Sequence, residues 1–167
     1  GDMIASMQMP IFANYNVGDM YEKLAEMGAE LLCQSLREIA DGKVKRTPQN
    51  HSIATYAPLL KKEHEVIDWN KTATQIHNFI RGMYPWPVVH TVFQGKRLKI
   101  GASIIGDEMI TGVPGEVVAV DKERGILVSC GEGTLWLKLV QPEGKKMMAV
   151  KDFICGYGVK AGDHLGK

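Results

Sequence analysis

Residues 81–100 read RGMYPWPVVHTVFQGKRLKI, and the fold turns on how this stretch is divided. Up to Pro85 the pattern belongs to a helix. Thr72-Ala-Thr-Gln75 is a capping box, in which the threonine and glutamine side chains each satisfy a free backbone N–H of the other. Ile76, Phe79, Ile80 and Met83 then recur at helical spacing, and Gly82 and Pro85 stop the run. After Pro87 the period changes to two, as in a half-buried strand. Trp86, held between two prolines at this junction, reads as a packing anchor that sets the angle between helix and sheet.

Outward from the junction, the alternation predicts strands near 88–93, 97–105, 115–120, 125–129 and 134–140, separated by Gly-rich corners. Five short strands of this kind suggest a small closed or partly closed antiparallel barrel. A short helix over about 150–155 and a Gly-rich tail follow. On the other side, 43–65 is polar, carries two prolines and keeps no period, which predicts a surface linker. Before it, Asp19 with Glu22 gives a second capping signal. Leu24, Met27, Leu31 and Ile39 fall near one face, and Asp41-Gly42 ends a helix over about 20–40. Residues 3–12 have strand-like stretches interrupted by Pro10. The resulting division is 1–42, a linker at 43–65, and 66–167.

Composition restricts what such a chain does. With 167 residues, 45% of them hydrophobic and 23% charged, it builds one ordinary core or two small ones. The formal net charge of +1 conceals an asymmetry: 5 Lys/Arg face 7 Asp/Glu up to Leu60, and 15 face 12 from Lys61 onward. The second part is therefore the one suited to a polyanion. Cys33, Cys130 and Cys155 are odd in number and far apart, which favours a reducing cytosol over a disulfide framework. No apolar run reaches the ~20 residues of a membrane helix, and the first residues lack the basic start of a signal peptide. A cytoplasmic location is expected.

No catalytic constellation stands out. His51, His64, His77, His90 and His164 form no H-x-x-x-H or H-E-x-x-H pair, so no metal site is expected, and no nucleophile elbow, Walker or dinucleotide-binding sequence occurs with the right flanks. What remains is a distribution of base: Lys61 and Lys62 at the end of the linker, Arg81 at the end of the second helix, Lys96, Arg97 and Lys99 opening the second strand, and Lys145 and Lys146 after the last. Each alone reads as a solvated surface residue. As a set bordering a small barrel, they suit a phosphate backbone held by charge.

The order MYEKLAEMGAELL, TYAPLLKKEHEVIDW, IHNFIRGMYPWPVVHT, GKRLKI and LVQPEGKKMM resembles the C-terminal half of the bacterial methionyl-tRNA formyltransferase family, with the IDW and PWP elements the most specific. The resemblance implies an OB-type barrel that helps hold initiator methionyl-tRNA, preceded by a linker and a strand–helix remnant of a Rossmann-like formyltransferase domain. It implies 10-formyltetrahydrofolate as co-substrate of the full-length enzyme and no cofactor in this segment. Gly1-Asp2-Met3 matches the end of the family's D-T-G-D-M segment, which places the catalytic Asp just before Gly1 and the Asn and His further upstream. No catalytic residue is therefore expected here. Lys62 matches a lysine of the linker pattern T-Y-A-x-K-L-S-K-E; Leu59 stands where that pattern has its first lysine, and Lys61 replaces its small hydroxyl residue. Asp68-Trp69, Arg81, Pro85-Trp86-Pro87 and Lys145-Lys146 match directly.

Two other readings are compatible with the same residues. One is a structural and interaction domain of another formyltetrahydrofolate-dependent hydrolase or sugar-modifying enzyme; the other is a stand-alone OB-type binding module. The apolar positions of the first helix also predict pairing of two chains, as a homodimer or through a swapped N-terminal segment.

Overall fold

The computed structural model describes residues 1–106 and 112–166. The chain divides into two compact units, Gly1–Leu60 and Lys61–Lys167.

The first unit is organised by helix α1, Val17–Ala40. Its start differs from the expected one. Asn16 is the cap: its side-chain oxygen accepts from the N–H groups of Gly18 and Asp19, while the Asp19 carboxylate accepts from Asn16 N–H at 2.8 Å. Asp19 therefore closes the capping box as its third residue and does not open it. Residues 3–12 form no strand. A strand needs a neighbour to take its backbone groups, and in this unit Thr47 alone pairs, exchanging two hydrogen bonds with Met3. Residues 51–53 form a short 3-10 turn capped by Asn50, so the polar stretch is not wholly irregular.

The second unit is a six-stranded antiparallel sheet carrying two helices. Its strands are β1 (His90–Phe93), β2 (Lys96–Ile105), β3 (Val117–Asp121), β4 (Gly125–Ser129), β5 (Thr134–Pro142) and β6 (Met148–Ala149), in the order β1-β2-β5-β4-β3 with β6 paired to β5. Helix α2, Ala73–Gly82, begins on the Thr72/Gln75 box read from the sequence and lays Ile76 and Ile80, each 1% exposed, against the sheet. Helix α3, Val150–Tyr157, buries Phe153. Between them lie Val89, Ile100, Val117, Val128, Leu135 and Val140, all fully buried. Side chains of this size contribute about 1.5–3 kcal/mol each when fully buried.

Of the closed or partly closed barrel expected, the ladders make an open sheet. β1 and β3 end the sheet and are not paired with each other. The segment read as a plain tail lies along both edges instead. Gly162 and Leu165 donate to the carbonyls of Val117 and Gly115, Asp163 accepts from Val117 N–H, and Gly166 donates to the Val92 carbonyl, each at 2.8 Å. Leu165 is buried beneath this segment. Ile67 N–H likewise donates to the His90 carbonyl of β1, and the buried Trp69 indole N–H donates to Thr91 Oγ1 at 3.0 Å.

The Pro-Trp-Pro junction also departs from expectation. Both X–Pro bonds there are cis, and the backbone of Val88 has φ +70°. Val88 and Val89 turn inward, 6% and 0% exposed, while Trp86 is 79% exposed. The buried anchors of this corner are the valines, and the indole faces solvent.

Candidate nucleic-acid interface

Two tight turns decide where the basic residues go. β1 and β2 are joined by Gln94-Gly95, both with positive φ, the two-residue turn whose twist suits a hairpin. Lys96 therefore heads β2 directly opposite Phe93. Leu98 and Ile100 point into the core, so the alternation turns Arg97 and Lys99 outward. The second turn closes β5: Lys145 N–H donates to the Pro142 carbonyl across Glu143 and Gly144, with Gly144 at φ +70°. Gln141 Nε2 donates to the Lys145 carbonyl at 2.7 Å, which fixes the far side of this turn.

The ladder register joins the two turns. Leu98 pairs with Pro142 and Lys99 with Gln141, and Glu143 N–H donates to the Arg97 carbonyl at 3.1 Å. Lys96, Arg97, Lys99 and Lys145, separated by up to 49 positions in the sequence, thus meet at one end of the sheet. They border two adjoining hollows. One, about 270 Å³, holds Lys96, Arg97 and Lys145 beside Phe93, Phe153 and Tyr157; the other, about 180 Å³, holds Arg97 and Lys99 beside Gln141 and Gly144. Among the described residues none of these four cations forms an ion pair, although Glu143 lines both hollows.

The remaining basic positions lie elsewhere in the unit. Lys146 follows Lys145 in the exposed link to β6. Lys62 begins a 3-10 turn, Lys62–Glu65, and the preceding Lys61 donates its backbone N–H to His64 Nδ1 at 3.1 Å. Both side chains are exposed. Arg81 is half-buried in the last turn of α2, where a cation meets the negative end of the helix dipole, and its Nε donates to Asn78 Oδ1 at 2.7 Å. Neither hollow includes Lys61, Lys62 or Arg81.

The field of this cluster reaches into β1. Burial, then the Arg97 guanidinium, and to a smaller degree Lys99 hold the His90 imidazole below its ordinary range, against an opposing pull from Glu65. Burial pushes the Cys130 thiol up to about 12, and among the described residues no group of three His, Cys, Asp or Glu is placed to hold a metal. The sequence reading missed the aromatic wall. Phe93 and Phe153 have the spacing of core residues, and only the docking of α3 brings Tyr157 to the same hollow.

Fold and site together define a small domain of two helices on an antiparallel sheet, with cations gathered at one sheet end. The chain belongs to the formyl transferase family: residues 59–158 match the family's description "Formyl transferase, C-terminal domain". Over its whole length it is 44% identical to the methionyl-tRNA formyltransferase of Streptococcus equi subsp. equi (strain 4047) and 46% identical to that of Streptococcus sanguinis (strain SK36), covering 53% of each. The chain thus spans about half the length of the curated relatives it matches. Among solved structures, a HypX variant from Aquifex aeolicus superposes with a TM-score of 0.70 at 20% identity, over 96% of this chain and 29% of that one. An N-formyltransferase from Helicobacter canadensis, in complex with folinic acid and dTDP-3-aminofucose, superposes with 0.60 at 21% identity, over 85% and 50%. At these identities the likeness is one of fold. Among the described residues no helix is long and apolar enough to cross a membrane.

Proposed function

We propose that this chain is the C-terminal part of a methionyl-tRNA formyltransferase and that its second unit holds initiator methionyl-tRNA while formyl transfer from 10-formyltetrahydrofolate takes place elsewhere in the enzyme. The observation that carries the proposal is the meeting of Lys96, Arg97, Lys99 and Lys145 on one sheet end without ion-pair partners among the described residues. Unpaired cations on a rigid frame suit phosphates, because each contact releases condensed counterions and needs no base identity. Lys61, Lys62, Arg81 and Lys146 extend the basic surface as secondary contacts. The domain is read as OB-type, a reading supported by the tail that hydrogen-bonds to both sheet edges. Residues 1–42 are read as the end of the Rossmann-like catalytic domain, and the protein works in the cytoplasm.

Formyl transfer is assigned to none of the residues here, so the chain by itself is inactive in a formylation assay but binds tRNA. The test is a titration with tRNA at two salt concentrations. Affinity that falls steeply with salt supports phosphate contacts; affinity unchanged by salt, or no binding, removes them. The reading of the domain as an accessory part of a hydrolase or sugar-modifying enzyme has only a likeness of fold at 20–21% identity behind it. The 44–46% identity to methionyl-tRNA formyltransferases favours the tRNA reading.

A further inference from the structure

The larger hollow differs from a plain basic patch in having an aromatic wall. Tyr157, near the end of α3, rests on the Phe153 ring with centroids 4.5 Å apart and planes 29° from parallel. Phe153 in turn meets Phe93 edge-on at 5.7 Å. Phe153 is 1% and Phe93 5% exposed, so Tyr157 is supported from the core, while half-buried itself it lines the hollow. Gly158, at φ +62°, ends α3 immediately after it and fixes where the ring stands. Opposite are Lys96 and Arg97 on β2 and Lys145 on the turn that Gln141 and the Glu143–Arg97 hydrogen bond hold in place.

A rigid ring beside three cations matches the two halves of a nucleotide. A base has a π-face to lay against an aromatic side chain, and its phosphate needs positive charge close by. At about 270 Å³ the hollow is close to the ~300 Å³ at which small-molecule pockets begin, a size that suits a single nucleotide. We propose that this hollow is a single-nucleotide subsite: an unpaired base of the bound RNA lies against Tyr157, and its phosphate is held by Lys96, Arg97 and Lys145. The proposal rests on the RNA-binding reading above and adds to it a preference for unpaired nucleotides. Glu143, which also lines the hollow, disfavours a second phosphate there and leaves its carboxylate for an amino or ring N–H donor on the base.

The test compares two fluorescent RNAs with equal numbers of phosphates, a hairpin with an unpaired loop and a blunt duplex, titrated by anisotropy with the full chain. The hairpin is expected to bind about tenfold more tightly, the scale of one base–aromatic stack. Tyr157→Leu, which keeps an apolar side chain against Phe153, should abolish that preference and leave the salt dependence of both RNAs unchanged. Tyr157→Phe should retain the preference. If hairpin and duplex bind alike with a steep salt dependence, or if Tyr157→Leu leaves their ratio intact, the subsite is overturned and the phosphate-holding reading stands. If neither RNA binds, both fall.

Discussion

His90 on β1 stands directly across the ladder from Lys99 on β2, and Arg97 lies two residues before Lys99 on that second strand. Burial and these two cations favour the neutral imidazole, with Glu65 acting the other way. The folded pKa is therefore depressed below the ordinary 6.5, and the stability this contributes is present above about pH 6.5 and is lost as pH falls through the folded value. Phosphates bound to Arg97 and Lys99 would cancel part of the positive field. An NMR titration of His90 should show its pKa rising when RNA is added, with less change for Arg97→Gln. A pKa unmoved by RNA would mean that the phosphates lie elsewhere.

The Trp69–Thr91 hydrogen bond ties the segment before α2 to β1 inside the core. Trp69→Ala removes both the bond and a large buried ring, and unfolding in urea should show a loss of about 3–5 kcal/mol. Thr91→Val keeps the volume but leaves the indole N–H without its partner, at a cost of about 1–3 kcal/mol. A loss under 0.5 kcal/mol, about the size of an ordinary surface substitution, would show that this segment is not part of the folded core.

Gly131 N–H donates to the carbonyls of both Trp69 and Lys71, and a Cβ at this position would collide with the Asn70 carbonyl. Gly131→Ala must push the segment off the β4–β5 hairpin. The expected destabilisation is about 1–3 kcal/mol or more, read from the same urea transition. Gly144→Ala, where a Cβ meets open space, should cost less in stability, its effect coming from the positive φ alone.

Helix α1 carries Leu24, Leu32, Leu36 and Ile39, each more than half exposed. The sequence pattern places Leu24 and Ile39 on a buried face; in the structure only Met27 and Leu31 of that set are half-buried. Apolar area of this kind gains ~25 cal/mol per Å² when covered, so the chain should self-associate through it. Sedimentation velocity across a concentration series should show a dimer that Leu32→Lys with Leu36→Lys abolishes. A strictly monomeric profile at high concentration would contradict this.

How far the molecule was legible in its sequence depends on the range of the interactions involved. The Thr72/Gln75 box and the Gly125–Ser129 strand are local, and both appear as read. Asp19 misled because a carboxylate that closes a capping box looks the same in sequence as one that opens it. β6 is two residues long and too short to show a period. The packing role expected of Trp86 failed because the prolines on either side fix the backbone without revealing which side chain the turn sends inward. The basic residues were visible as types, but their selection was not. Lys145 joins Arg97 through the β2–β5 register, and Lys61 and Lys62 lie outside that register altogether. Tyr157 carried no signal of its own, since its place depends on how α3 packs.

The most direct test of the central claim is the salt dependence of tRNA binding by the chain and by its Lys96→Ala/Arg97→Ala/Lys145→Ala variant. At ~0.7–0.9 per phosphate contact, the four clustered cations predict a slope of log affinity against log salt of about −3 or steeper, and the variant should be shallower by about 2 or more. Equal slopes for the two proteins, with equal affinities, would contradict the assignment of this sheet end as the place where the RNA is held.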